Sequence, residues 1–148
     1  MIEGTQFTVL QKLMRTLFDT AVAAVSAEAV MPTQIPRAAG RTAIIAVGKA
    51  AAAMMDVALA RCDGDIEGLV VTRYGHVLGR AQDPRVEIIE AGHPVPDENS
   101  LRAARRALDM AHALGPRDRL LFLLSGGGSA LLAAPAEGVT LHEQQDIT

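Results

Sequence analysis

The fold is decided by the run TAIIAVGK at residues 42–49, where an unbroken apolar segment ends at a glycine that is followed by a lysine. A short apolar run without polar alternation is typical of a strand buried on both faces of a parallel sheet. Residues 49–61 follow with strong helix formers and no breaker. The pattern therefore predicts a strand followed directly by a helix.

Similar patterns recur along the chain on both sides of this run. Further strands are predicted at residues 69–71, 86–90 and 120–124, and a further helix at residues 98–114. An earlier helix, capped by Thr5, precedes them all. The predicted order is α-β-α-β-β-α-β. This order indicates an α/β fold with a mainly parallel sheet and helices on both faces.

The helices carry more detailed expectations. The first helix has apolar residues at helical spacing from Phe7 to Ala24, and we expect it to bury one face. A helix is also expected after the capping residue Thr140, and a helix that began at about Ser129 would place its positive end beside the preceding glycines. In the helix at residues 98–114, the expected buried residues are Leu101, Ala104, Leu108 and Ala111.

Composition excludes several classes of function. The chain has 148 residues, of which 49% are hydrophobic, and its net charge is −3. A chain this apolar is not a disordered tail, and its charge gives no electrostatic signature for nucleic acid. The single Cys62 forms neither an internal disulfide nor a Cys-based zinc site. The chain contains no apolar run of about 18 residues and no export-signal pattern, so we expect a cytoplasmic protein without a membrane partner.

Polar loops follow all four predicted strands, and in a parallel sheet such loops meet at one edge. The most distinctive is Ser125-Gly126-Gly127-Gly128-Ser129. Three adjacent glycines cost backbone entropy that a simple turn does not require. Their N–H groups can hold a phosphate or another anion, with the flanking serines as extra donors. The alternative is a tight turn that lets the next helix pack closely.

Three known motifs with similar loops are excluded by single residues. A dinucleotide-binding fingerprint needs glycine or alanine at position 131, and a hydrolase nucleophile elbow needs glycine there, but the residue is Leu131. A Walker loop needs an earlier glycine and a hydroxyl after the lysine, whereas Lys49 has no such glycine before it and is followed by Ala50.

Three cationic or imidazole side chains are candidates beside these loops. Lys49, one of two lysines, lies at a helix start. A cation there is repelled by the positive end of the helix dipole, which costs roughly 0.3–1 kcal/mol of stability. Lys49 could bind phosphate or accept a proton from a hydroxyl, or simply extend into solvent. Arg73 could bind a carboxylate or phosphate of a substrate, and His93 could donate a hydrogen bond to it. The alternatives are that Arg73 is simply solvated and that His93 only stabilises its own loop.

Four stretches, in this order, resemble the class II glycerate kinases, or glycerate 2-kinases. They are AVGKAA at 46–51, GLVVTRYGH at 68–76, EAGHPVPD at 90–97 and LLSGGGSALL at 123–132. The resemblance implies a two-domain enzyme with a Rossmann-like N-terminal domain. Such an enzyme transfers the γ-phosphoryl group of ATP to the 2-hydroxyl of glycerate, with Mg²⁺. It also implies that Lys49 is catalytic and that the loop 125–129 binds phosphate. Members of this family are often labelled hydroxypyruvate reductases.

Members of that family are much longer than this chain, which also stops soon after a helix starts. We therefore expect residues 1–148 to be the N-terminal part of a truncated domain, without the C-terminal domain and the Mg²⁺ ligands. Such a fragment should have little activity, and should self-associate if apolar faces are exposed. Two other functions stay open. A hydroxypyruvate reductase-type oxidoreductase lacks its expected acidic strand end, and a non-catalytic sugar-phosphate-binding module would use similar loops.

Overall fold

The computed structural model describes residues 4–77 and 83–148, and the chain divides into two compact units at Pro32. The first unit contains α1 (Gly4–Ala24) and the one-turn helix α2 (Ala27–Val30). The Ser26 hydroxyl caps α2 by accepting the N–H of Ala29. Among the described residues, the helices are all too short or too polar to span a membrane.

The apolar face predicted for α1 forms, but it is not buried. Phe7, Leu10, Met14 and Leu17 are 46–62% exposed. Within the described part of this unit, α2 is the other helix, and none of its residues is buried. A single turn of that kind cannot cover a helix of 21 residues. The prediction of a buried face is therefore wrong for α1, and the helix begins at Gly4, before the predicted cap.

The second unit is built on a four-stranded sheet in the order β3-β2-β1-β4. All three strand pairings are parallel, so the predicted α/β architecture is confirmed. This is also the order of the first four strands in doubly wound Rossmann folds. Every residue of β1 is buried, as its unbroken apolar run predicts. The strands are β1 (Thr42–Gly48), β2 (Ile66–Arg73), β3 (Val86–Ala91) and β4 (Arg119–Ser125).

Helices cover both faces of this sheet, as predicted. On one face, α3 (Ala51–Arg61) approaches β2 so closely that a Cβ on Gly68 would lie 3.2 Å from Met55. On the other face, α4 (Glu98–His112) packs against alternate residues of β1, β2 and β3. The core on the α4 side consists of Ala43, Ile45, Val47, Leu69, Val71, Ile89, Ala91, Ala103, Ala107, Met110 and Leu131.

The buried face of α4 is turned by about one residue from the predicted one. Ala104 is buried as predicted, whereas Leu108 is 49% exposed. Four of the five residues on the observed face are serine or alanine, which lets α4 lie close to the sheet, and Met110 is the one large side chain that it buries there. The buried residues of α4 are Ser100, Ala103, Ala104, Ala107 and Met110.

The segment after β4 forms a tight turn before it forms a helix. Instead of a helix from Ser129, residues 128–132 form one turn, in which the Leu131 and Leu132 N–H groups donate to the Gly128 carbonyl at 3.0 and 2.8 Å. Burial of Leu131 in the core directs the chain toward the sheet. The helix α5 (Leu141–Asp146) does begin after the predicted cap, Thr140.

Candidate active site at the carboxyl edge of the sheet

The carboxyl ends of β1 and β4 lie side by side. In the register of this pair, Gly48 is opposite Ser125, so Lys49 and Gly126 leave the sheet at the same level. The chain continues from β1 to β2 on one side, while β4 lies on the other side of β1. Open α/β sheets bind ligands at such a switch point in strand order.

A cavity of about 400 Å³ opens at this edge. Its volume falls in the range of roughly 300–1,000 Å³ that is usual for small-molecule sites. The structure thus brings together Lys49, His93 and the whole predicted loop, which come from the segments after β1, β3 and β4. The cavity is lined by Lys49, His93, Pro94, residues 125–131 and Thr148.

The three glycines of the loop have different surroundings. Gly126 has a φ of +77°, which side-chain-bearing residues rarely adopt, so the turn itself requires glycine there. At Gly128 a Cβ would lie 2.8 Å from Cγ1 of Val47, so packing requires glycine. At Gly127 neither reason applies, because φ is not positive and a Cβ would meet no atom within 4 Å. The open space beside Gly127 leaves room for another molecule to approach the backbone.

The backbone N–H groups along this loop are available. Among the described residues, the backbone N–H groups of residues 126–130 donate no hydrogen bond. The turn that follows uses the N–H groups of Leu131 and Leu132. The exposed Ser129 hydroxyl likewise takes part in none of the hydrogen bonds found within those ranges. Successive free N–H groups in a concave turn form an anion-binding nest. The loop therefore has the donors that a phosphate group needs.

The Ser125 hydroxyl, in contrast, is used within the protein. Its Oγ accepts the N–H of Ala50 at 3.0 Å and lies 3.4 Å from the carbonyl oxygen of Val47, to which it donates. A Cβ on Gly48, where φ is +113°, would lie only 2.3 Å from this Oγ. The hydroxyl predicted as an anion donor is therefore engaged with the turn between β1 and α3.

Lys49 is exposed at the start of α3. The N-cap residue of that helix, Ala50, provides no side-chain cap. The N-terminal amides of an uncapped helix carry partial positive charge, and the ammonium group of Lys49 adds a full charge beside them. Lys49 and the loop after β4 therefore place a positive charge and free N–H donors in the residues that line one cavity.

His93 belongs to a loop that Asp97 closes. The Asp97 carboxylate accepts the N–H of Ser100 at 3.0 Å, which caps α4, and the hydroxyl of Tyr74 at 2.7 Å. Burial alone would raise the pKa of Asp97, but hydrogen bonds from Tyr74, Gly92 and Ser100 outweigh it and lower that pKa. The bond to Asp97 raises the pKa of Tyr74. These contacts join the loop after β2 to the start of α4.

Arg73 is not part of the cavity wall. It is exposed at the end of β2, and its Nε donates to the His76 imidazole, with 3.0 Å between Nε and Nε2. The backbone N–H of His76 donates to the Glu90 carboxylate at 3.2 Å. The expectation that all four loops meet holds for three of them. Sequence analysis also missed Asp97 as a loop-closing residue, although its position three residues before Ser100 is a capping signal.

The described cavity wall has no carboxylate side chain. Over the same described ranges, no group of three or more His, Cys, Asp or Glu residues could hold a metal ion. Mg²⁺ prefers carboxylate and other oxygen ligands. The residues present therefore fit a phosphate group but do not by themselves form a Mg²⁺ site.

Known proteins support a family assignment. Residues 13–148 match a family model described as a domain of unknown function, DUF4147. A D-glycerate 2-kinase from Thermotoga maritima is 43% identical over 141 residues, which are 94% of this chain and 33% of that protein. A protein from Agrobacterium vitis that carries the name hydroxypyruvate reductase is 41% identical over 139 residues, which are 93% of this chain and 31% of that protein.

A solved structure supports the same assignment. The crystal structure of a glycerate kinase from Thermotoga maritima has a TM-score of 0.78 and 37% identity, covering 95% of this chain and 34% of that one. This chain therefore spans about a third of the length of the relatives that it matches. It belongs to the DUF4147 family, whose domain is the N-terminal part of class II glycerate kinases.

Proposed function

We propose that this domain provides the phosphate-binding part of a glycerate 2-kinase site, at which the γ-phosphoryl group of ATP is transferred to the 2-hydroxyl of glycerate. One observation carries the proposal: Lys49 and the free amides of residues 126–129 line the same cavity at the switch point between β1 and β4. The reaction is that of the relatives named D-glycerate 2-kinase and glycerate kinase.

Each part of the cavity has a role in this proposal. The amides of residues 126–129 and the Ser129 hydroxyl hold the oxygens of the ATP phosphates. The ammonium group of Lys49 neutralises charge that develops on the transferred group, which is the main contribution that proteins make to phosphoryl transfer. His93 donates a hydrogen bond to a glycerate or phosphate oxygen from the opposite loop. The predicted substrate contact of Arg73 stays a prediction, since Arg73 lies outside the cavity wall.

We further propose that residues 1–148 are the N-terminal part of such a kinase and are incomplete without the remainder. The chain spans about a third of its relatives, and the described cavity wall lacks carboxylates for Mg²⁺. Mg²⁺, when bound, supplies charge neutralisation between the phosphates, and its ligands are expected outside this chain. The purified chain is expected to give no robust turnover of D-glycerate with ATP and Mg²⁺. A cytoplasmic location also stays a prediction.

Two other functions compete with the kinase. The reductase name of one relative would require dinucleotide binding, but the position that such a motif fills with glycine or alanine is the core residue Leu131, which is 1% exposed. A non-catalytic module for sugar phosphates would fit the same cavity and differs only in what it binds. The experiments that follow separate these three functions.

Binding is tested on the chain itself. Calorimetry with ATP is expected to show binding to the wild-type chain and a loss of about tenfold or more in Lys49→Ala, because a charge-assisted contact of roughly 1.5–3 kcal/mol is removed. Lys12→Ala is the matched control, since Lys12 is the other lysine and lies in α1. A chain that binds sugar phosphates but not ATP would contradict the kinase proposal.

Catalysis is tested in a chimera in which this chain replaces the matching third of the Thermotoga maritima D-glycerate 2-kinase. The chimera is expected to phosphorylate D-glycerate, and Lys49→Ala is expected to abolish turnover while Lys12→Ala preserves it. Hydroxypyruvate-dependent oxidation of NADH by the chimera would instead support the reductase.

A further inference from the structure

The hydroxyl of Ser125 connects the two loops that form the cavity. It accepts the N–H of Ala50 at 3.0 Å and donates to the carbonyl of Val47 at 3.4 Å. These two partners immediately flank Gly48 and Lys49 in the chain. One side chain at the end of β4 thus spans the backbone turn that carries the ammonium group.

Gly48 provides the space that this hydroxyl occupies. Its φ of +113° lies in the left-handed region, and a Cβ there would be 2.3 Å from Ser125 Oγ and 2.5 Å from the Ser125 carbonyl oxygen. Gly48 and Ser125 are also opposite each other in the β1–β4 register. A residue without a side chain and a residue with a short hydroxyl are therefore matched across the pairing.

We propose that Ser125 is a positioning residue for Lys49. Its hydroxyl fixes the turn between β1 and α3 so that the ammonium group and the amides of residues 126–129 act on the same phosphate group. This inference rests on the proposed function and assigns Ser125 a role through Lys49 instead of direct contact with phosphate. Ser129 keeps the direct role, because its hydroxyl is exposed and outside the hydrogen bonds described for this loop.

Ser125→Ala tests the positioning in the absence of any ligand. The substitution removes the acceptor of the Ala50 N–H. Hydrogen exchange of that amide should become about fivefold faster, which is the change expected when one hydrogen bond is lost. The NMR order parameter of the Lys49 amide should fall from about 0.85 toward 0.6. Ser129→Ala is the matched control and should change neither quantity. Unchanged Ala50 exchange and Lys49 order in folded Ser125→Ala would overturn the proposal.

Tripolyphosphate affinity then separates positioning from direct contact. Ser125→Ala should weaken binding about fivefold in the wild-type background, but less than about twofold when Lys49→Met is already present. Ser129→Ala should weaken binding by the same factor in both backgrounds. Equal losses from Ser125→Ala in both backgrounds would make Ser125 a direct ligand and would overturn the proposal.

Two further outcomes are covered by the same design. If the wild-type chain does not bind tripolyphosphate, the proposed function fails, while the exchange and order measurements still decide the role of Ser125. If Ser125→Ala does not fold, Ser125→Cys replaces it, because a thiol of similar size is only a weak acceptor. The same changes are then expected in the same direction, and their absence would overturn the proposal.

Discussion

At the scale of single residues, Gly127 is a cavity-wall position where glycine is explained neither by backbone conformation nor by packing within the described structure. Gly127→Ala should change the free energy of unfolding by less than about 1 kcal/mol, since its φ is compatible with alanine. It should weaken ATP binding by about tenfold or more, because the methyl group fills the space through which phosphate reaches the amides. Chemical denaturation and calorimetry measure the two effects.

Gly115→Ala is the matched control for this substitution. Gly115 also lacks a positive φ, and a Cβ there would lie 3.6 Å from its nearest neighbour, Oδ2 of Asp118. It is not part of the cavity wall, so both stability and ATP affinity should stay close to those of the wild-type chain. Wild-type affinity in Gly127→Ala would show that phosphate does not approach the loop at this point.

Asp97 should make stability depend on pH in a defined direction. Its pKa is lowered in the folded chain, so its contribution is complete above its unfolded pKa of about 3.9 and is lost as pH falls through the lowered folded value. At pH 7, Asp97→Ala should reduce the free energy of unfolding by about 1 kcal/mol, the usual value of an N-cap. Urea denaturation should show this difference shrinking below about pH 4.

Asp109→Ala serves as the comparison for Asp97. Asp109 is exposed on the same helix, and its carboxylate takes part in none of the side-chain hydrogen bonds found among the described residues. Asp109→Ala should change the free energy of unfolding by less than about 0.5 kcal/mol both at pH 7 and at pH 2.5. A loss in Asp97→Ala that is as large at pH 2.5 as at pH 7 would contradict the assigned role.

At the scale of helices and strands, apolar runs predict which segments form elements but not always which face is covered. The seven residues of β1 are buried on both faces, as an unbroken apolar run predicts. The run in β4 is equally apolar, yet Phe122 is 48% exposed. Burial in β4 depends on whether a helix lies over that edge of the sheet, and this information is not contained in the local sequence.

The same limit applies to the candidate site. The meeting of Lys49 with the loop at residues 125–129 was predictable, because parallel strands place their carboxyl ends together. The separate course of Arg73 and the internal use of the Ser125 hydroxyl were not. The Ser125 hydroxyl bonds with Ala50 and Val47, which lie 75 and 78 positions away in the chain. Arg73 donates instead to the nearby His76. Strand order alone predicts neither set of side-chain contacts.

The corrected face of α4 can be tested directly. Met110 is 2% exposed in the core, so Met110→Ala should cost about 2–5 kcal/mol of unfolding free energy through lost burial and a cavity. Leu108→Ala should lower the unfolding free energy by less than about 1 kcal/mol, because Leu108 is 49% exposed. Chemical denaturation of the two variants measures the difference. A larger loss at Leu108 would support the face that periodicity alone predicted.

At the scale of the whole molecule, one face of β4 leaves a stripe of large apolar side chains exposed. Leu120, Phe122 and Leu124 are opposite the core residues Ala43, Ile45 and Val47 in the register, so they continue the face that α4 covers elsewhere. Their exposed fractions are 42–51%. An apolar stripe beside an unpaired strand edge is a common cause of association between chains.

We therefore expect the purified chain to self-associate. Phe122→Glu should shift the sedimentation profile toward monomer while far-UV circular dichroism stays unchanged, because a charge is placed in the stripe without disturbing the core. Val139→Glu is the control, since Val139 is 46% exposed but lies outside the sheet. Identical association of Phe122→Glu and the wild-type chain would exclude the stripe as the contact surface.

The central position of β1 also constrains the order of assembly during synthesis. Its edge toward β4 is completed by residues far along the chain: the Arg41 N–H donates to the Asp118 carboxylate at 2.9 Å across 77 positions. Distant pairings form more slowly than local ones, and translation delivers the N-terminal segments first. In a nascent chain, β1 can therefore pair with β2 before β4 has been synthesised, and the other edge of β1 is then unpaired. Chaperones that bind extended apolar segments would bind at this stage.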